Sequence, residues 1–468
     1  MKQWIRWLGW LFVLQCALAV CSAAQAQQLD REFQQAVALY NEGKFSEAAV
    51  RLEGLLKAAP EIFETHELLG LVYSAQSQDV KAKPHLEKAV QLNPNSAAAR
   101  SNLAANLSRL GKPELALEQF KKAAEIEPQN FDTNHNLGES YIRVGQIFKA
   151  TPFLERAQQI DPSSYDNGYD LSLAYLLTGK IPEARKQVQD LLTKKNTAEL
   201  HNLLGEIQEK SGEFITAAKE YETAAHMEPS EDNLFDWGSE LLLHETLAPA
   251  IEVFQQASTR YPHSPRLLIG LGMALYSRGN YDEAVKALLQ AADLSPSDSR
   301  AYLFLSKAYD RSPEQVNDVI ERFHKFSELQ PDNAQAQYYY AMSLWKGKRA
   351  QDPNLDLNQI QSLLKKSVTL DPKLGEAHLQ LGNVYSDENK HAEAIPEYLL
   401  ALKLNPDLAD GYYRLGQAYV RTGEKDRAQE QFQIYQKVRT QHMADLDKQR
   451  AEVRQFVYSA KNGPAAKE

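Results

Sequence analysis

Eleven chain-breaking places recur along this sequence at a nearly constant interval: Pro60, Pro94, Pro128, Pro162, Asn196, Pro229, Pro262, Pro296, Pro331, Pro372 and Pro406. The steps are 33 to 35 residues, with one of 41 between Pro331 and Pro372. A period of that length describes a supersecondary unit that cannot bury its own apolar face and must stack on copies of itself. Repeats in register over the whole length exclude an ordinary single-core domain.

Aligning the units on these places exposes their internal pattern. Eight residues into each unit stands a small residue: Ala36, Gly70, Ala104, Gly138, Ser172, Gly205, Gly238, Gly272, Ser306, Ala341, Gly382 and Gly416. A large apolar residue generally precedes it, as at Leu69, Leu137 and Leu381, and another follows three residues later, as at Tyr73, Tyr141 and Tyr385. That spacing marks one face of an α-helix. Gly43, Gly111, Gly145, Gly179, Gly212, Gly279 and Gly423 then mark a turn. A second helix follows, with alanine at a fixed place, including Ala48, Ala82, Ala116, Ala150 and Ala394. Small residues at two fixed places let paired helices approach closely. The closing proline cannot continue the second helix, so it resets the chain for the next unit.

The run Leu381-Gly382, Tyr385, Ala394, Tyr398, Ala401 and Pro406 resembles the tetratricopeptide repeat family, and comparable runs recur in register. The resemblance implies an all-α, right-handed superhelical solenoid of about twelve helix-turn-helix units. The first helix of each pair would line a concave surface. The expected organisation is an export segment over residues 1–26, a repeat array over 27–440, and a capping helix with a disordered tail over 441–468. Unit 9 lacks the turn glycine, and unit 10 carries about seven extra residues within 346–355, so the array is expected to be irregular over 299–372.

Lys2 and Arg6 precede an apolar stretch from Leu8 to Val20, and Ala24-Gln25-Ala26 has the small-x-small pattern cut by a signal peptidase. Cleavage after Ala26 and a periplasmic or secreted location are expected. Two alternatives stay open: lipid attachment at Cys21, giving an outer-membrane lipoprotein, and retention as an inner-membrane anchor. Cys16 and Cys21 are the only cysteines, so the chain after Ala26 has no thiol for a disulfide or metal site. The net charge of −10 disfavours a nucleic-acid backbone as partner.

No His-Glu-x-x-His, Gly-x-Ser-x-Gly or Gly-x4-Gly-Lys-Ser/Thr motif stands in the sequence. Asp352 to Asn358 has alternating oxygen donors, but Leu357 and Leu363 stand where a calcium loop needs glycine and glutamate, so it reads as a polar loop. No catalytic residue, cofactor or metal is expected.

Function is expected on the exposed face of the first helices, where two groups of residues stand out. Asn102 and Asn136 share one place in successive units, and Arg109 and Arg143 another. Amides can pair with both donors and acceptors of an extended peptide, and arginines can grip a carboxylate. By resemblance this is like the asparagine ladders of peptide-binding family members. Phe235, Ile269, Met273, Phe304, Tyr338, Tyr339, Met342 and Trp345 fall on the same face in units 7 to 10 and are expected to form an apolar groove. The implied function is a non-catalytic scaffold or adaptor of the cell envelope, binding peptides or domains of other proteins. The alternative is an assembly factor for exported polysaccharide or a surface secretion machine.

Overall fold

The computed structural model describes residues 27–312, 315–349 and 357–440, together with Ala451 and Arg454. The expected export segment, the insertion over 350–356 and most of the region after Thr440 lie outside the described residues. Among the described residues the chain is all-helical: twenty-four helices, α1 to α24, follow one another in antiparallel pairs without a strand. Odd numbers are first helices and even numbers second helices. Within each compact unit the helices pack on their sequence neighbours, and many consecutive first helices also touch. This is an all-α repeat solenoid. The chain forms two compact units, Met1–Asn196 and Thr197–Glu468, divided at the one unit boundary occupied by asparagine instead of proline.

Why a small residue recurs at the eighth place is clear from what lies opposite it. A Cβ added at Gly70 of α3 (Phe63–Ala75) would stand 2.5 Å from Leu86 of α4 (Asp79–Leu92). The same clash recurs between Gly138 and Leu154, Gly238 and Phe254, Gly272 and Leu288, Gly382 and Tyr398, and Gly416 and Phe432. In each of these units, then, a large second-helix side chain sixteen residues downstream seats directly on the backbone of the first helix. Tyr221, Phe254 and Tyr398, which fill this role, are completely buried.

The turns obey one backbone rule with two residue solutions. Gly43, Gly111, Gly145, Gly179, Gly212, Gly279 and Gly423 have φ between 68° and 91°. Where glycine is missing, Ser77, Glu245, Gln315 and Asn389 take the same left-handed conformation at φ of 55° to 60°. In unit 9 the left-handed residue, Gln315, stands two places later than in the other units and directly precedes the second helix, α18 (Val316–Leu329), so this turn differs from the rest.

A further regularity concerns the closing prolines. Their carbonyls would be unpaired at the end of a helix, and a side chain six residues downstream donates to them. His66 Nε2 reaches Pro60 O at 2.9 Å, Arg100 Nε reaches Pro94 O at 2.9 Å, and Asn134 Nδ2 reaches Pro128 O at 3.0 Å. Tyr302 Oη, Gln337 Nε2 and His378 Nε2 do the same to Pro296, Pro331 and Pro372. Three of these side chains also bridge to a second-helix residue nineteen positions on: His66 to His85, Arg100 to Gln119, and His378 to Glu397. Five side-chain types thus perform one job, tying six of the interrepeat turns to the helix that follows.

Candidate functional site

The two expected groups of binding residues fare differently. In the first unit, Asn102 on α5 (Ala97–Arg109) is half-buried and donates to Glu67 Oε1 of α3 at 3.2 Å. Burial raises the pKa of Glu67, and the Asn102 hydrogen bond opposes the rise. Asn136, on α7 (Phe131–Arg143), is half-buried. Arg109 donates through Nε to Asp79 Oδ1 at 2.8 Å, and Arg143 through Nη2 to Glu139 Oε1 at 2.5 Å. Both arginines are exposed, and each holds a separate carboxylate of this chain.

The expected exposed apolar groove needs correction at most of its residues. Phe235, Ile269 and Met273 are 0% exposed, Phe304 2%, and Tyr339 and Trp345 6%. They belong to the core of the second unit, with the second-helix residues Phe254, Phe323 and Phe326. Their places face inward as expected. However, α13 (Glu231–Leu243), α15 (Pro265–Arg278) and α17 (Ser299–Arg311) pack directly on one another, and Gly270 of α15 lets Phe254 approach so closely that a Cβ would clash at 2.6 Å. Only Tyr338 and Met342 of this group are half-buried.

A recess of about 480 Å³ opens where three later first helices meet. From α19 (Ala334–Arg349) come Met342, Trp345 and Lys346; from α21 (Gly375–Asp387), Gln380, Asn383 and Asp387; from α23 (Ala409–Thr422), Arg414. Met342 and Trp345 give it an apolar wall. Asn383 is fixed from both ends, accepting from Tyr398 Oη at 2.9 Å and donating to Gln380 Oε1 at 3.0 Å. That bond takes one lone pair of the Gln380 carbonyl oxygen and leaves its Nε2 donor unused by Asn383. Lys346 Nζ donates to Tyr309 O at 2.9 Å and Asp310 Oδ1 at 3.2 Å. Arg414 lies 3.6 Å from Asp410, and its Nε makes no hydrogen bond among the described residues. Two cationic side chains, Lys346 and Arg414, and one carboxylate, Asp387, therefore stand around an apolar floor. Such a surface suits a ligand group that combines carbonyl or carboxylate oxygens with an apolar side chain.

The sequence had pointed to Met342 and Trp345 but not to Lys346, Gln380, Asn383, Asp387 or Arg414. These five occupy the sixth, ninth and thirteenth places of their units. Asn102, Met273 and Arg109 stand at the same three places in earlier repeats, but which polar residues converge depends on how three successive helices splay. Among the described residues, no group of three His, Cys, Asp or Glu side chains could hold a metal, and no helix is long and apolar enough to cross a membrane.

Comparison with known proteins bears on the repeats. Family models described as tetratricopeptide repeat match residues 33–97, 96–126, 241–309 and 410–442, and one described as TPR repeat matches 382–423. Human protein O-mannosyl-transferase TMTC3 is 24% identical over 204 residues, which is 42% of this chain and 21% of that protein. Anaphase-promoting complex subunit 3 of Schizosaccharomyces pombe is 23% identical over 202 residues, 43% of this chain and 29% of its own. The matches thus span under a third of these relatives. Among solved structures, PilW, titled a widely conserved type IV pilus biogenesis factor, aligns over 44% of this chain and 96% of its own, with 20% identity and a TM-score of 0.39.

Proposed function

Because this chain is built of tetratricopeptide repeats, we propose that it is a non-catalytic interaction scaffold that captures short segments of partner proteins in the recess between α19, α21 and α23. The observation that carries this reading is the apolar floor there, with Lys346 and Arg414 beside it. Gln380 and Arg414 direct hydrogen-bond donors at the space bounded by Met342 and Trp345. A segment presenting an oxygen acceptor beside an apolar side chain would satisfy both. The residues are held on three packed helices, so the site is preorganised and binding orders little of the protein. The resemblance to O-mannosyl-transferases spans about a fifth of those proteins, and no catalytic constellation in this sequence suggests a transferase reaction.

We place the scaffold in the cell envelope, on the strength of the charged start, apolar stretch and Ala24-Gln25-Ala26 pattern at the N-terminus. Mass spectrometry of the chain purified from its native cell would test this: a new N-terminus at Gln27 supports export by cleavage, and an intact Met1 in soluble protein refutes it. For the recess, peptide arrays read with the purified chain would define a ligand. Arg414→Glu should then weaken binding of that peptide roughly tenfold or more, the expected cost of losing a charge-assisted hydrogen bond. Unchanged affinity with unchanged helicity would reject the recess as the site.

A further inference from the structure

Three histidines stand at the fourth place of their units: His66, His201 and His378. Each meets, through Nδ1, the residue nineteen positions on along the second helix. For His201 and His378 that residue is a glutamate, Glu220 or Glu397, with Oε2 at 2.6 Å in both cases. For His66 it is another histidine, His85, and the two Nδ1 atoms lie 3.1 Å apart. The ring centroids are 5.3 Å apart, so the nitrogens lie close to the line between the rings and point at one another.

The hydrogens of this pair follow from its neighbours. His66 Nε2 donates to Pro60 O at 2.9 Å, so His66 Nδ1 offers a lone pair, and His85 Nδ1 carries the hydrogen between them. One added proton can settle on His85 Nε2 and leave that bond whole. A second has only His66 Nδ1 to take, which sets N–H against N–H and one cation against another. Burial lowers the His85 pKa, the neighbouring His66 adds to this, and the Glu53 carboxylate opposes it. Glu53, on α2 (Phe45–Ala58), accepts from Tyr73 Oη of α3. On α4, Lys88 is paired with Glu61 at 2.7 Å, and Lys81 lies 5.6 Å from the Tyr73 ring centroid. The charges of α5 are Arg100 and Arg109, which turn to Gln119 and Asp79 at 3.0 and 2.8 Å. No carboxylate therefore touches the pair as Glu397 touches His378. Below the ordinary histidine value of about 6.5 the unfolded chain binds more protons here than the folded one, so stability present above that pH is lost as pH falls.

We propose that His66 and His85 form an acid-sensitive latch, which fastens the first repeat to the second at neutral pH and releases it when the pair is protonated. The latch spans the turn at Pro60, where α2 packs on α3. Among the described residues the first repeat has another repeat on one side only, so it is the one that a weakened joint frees. A proton taken up at His201 or His378 meets a carboxylate instead, and those joints hold. The latch belongs to the first compact unit and is independent of peptide binding at the recess.

Hydrogen exchange on the full chain at about pH 7.5 and about pH 5.5 tests this, with each amide's rate divided by its unprotected rate at the same pH. Protection of α2 should fall roughly tenfold at the lower pH, and that of α21, which holds His378, should not. Protection of α2 that is unchanged overturns the proposal, as does an equal loss in α21. His85→Glu gives the first joint the partner that His378 has, and should keep α2 protected at about pH 5.5. A loss as large as in the native chain overturns the latch. If His85→Glu does not fold, His85→Gln carries the same comparison: it places at position 85 the residue that Gln119 supplies in the next unit, which cannot take up a proton.

Discussion

Seven glycines at the eighth place serve by lacking a side chain. At Gly272, two effects of an added methyl oppose each other. Alanine is the better helix former by about 1 kcal/mol. However, its Cβ would sit 2.5 Å from Leu288 Cγ, and overpacking of that kind costs about 1–3 kcal/mol. Leu288 is completely buried and has nowhere to go, so the clash wins. Gly272→Ala should lower the thermal midpoint, as circular dichroism would show, despite raising intrinsic helix propensity. The opposite sign is expected at Ser77, where a side chain occupies the left-handed region at φ 57°. Relief of about 1–2 kcal/mol of steric strain there exceeds the roughly 0.5–1 kcal/mol of added backbone entropy. Ser77→Gly should therefore raise the denaturant midpoint modestly. The small residues were legible in the sequence; the large residue sixteen places on, which gives them their reason, was not. Its type varies among Leu, Phe and Tyr, and a one-dimensional pattern keeps position but loses partnership.

At the scale of the element, what joins one repeat to the next is a hydrogen bond to a carbonyl. Tyr302 Oη donates to Pro296 O at 3.1 Å from a side chain that is otherwise completely buried. Tyr302→Phe keeps the ring and its stacking on Phe326, 4.0 Å away between centroids, and removes the donor alone. The cost should be about 1 kcal/mol, read as a shifted urea midpoint with an unchanged slope. His378 makes the same link: Nδ1 faces Glu397 Oε2 at 2.6 Å and Nε2 faces Pro372 O at 3.1 Å, so both ring nitrogens point at acceptors. No sequence pattern disclosed this device, because His, Arg, Asn, Tyr and Gln share little beyond a donor at the right reach. The helix pairs themselves were fully legible, since each depends on spacing within one unit. The inner surface was legible only in outline. Its places were known, but the burial of Phe235, Met273 and Phe304 depends on how closely α13, α15 and α17 approach, and the convergence of Gln380, Asn383 and Arg414 crosses three units.

Considered as a whole, the molecule stores much of its titratable burial in tyrosines. Tyr302, Tyr309 and Tyr398 are each pushed up to about 12, chiefly by burial, with neighbouring carboxylates adding to it. A phenol whose folded pKa exceeds its unfolded value of about 10 stabilises the native state fully below that pH, and the contribution is lost as pH rises toward the folded value. The chain should accordingly hold its helicity to about pH 10 and lose it between about pH 10 and 12, with tyrosinate absorbance rising in the same window. Tyr398→Phe should shift that loss to higher pH. Tyrosinate absorbance that is complete near pH 10 with helicity intact would contradict the burial of these phenols.

Within each of the two units, the described helices pack chiefly on those one or two steps away along the chain. A load applied to the ends of such a unit would be met by one interface at a time, each able to open and reseal while its neighbours hold. The molecule would then lengthen under tension in small recoverable increments, as a spring does.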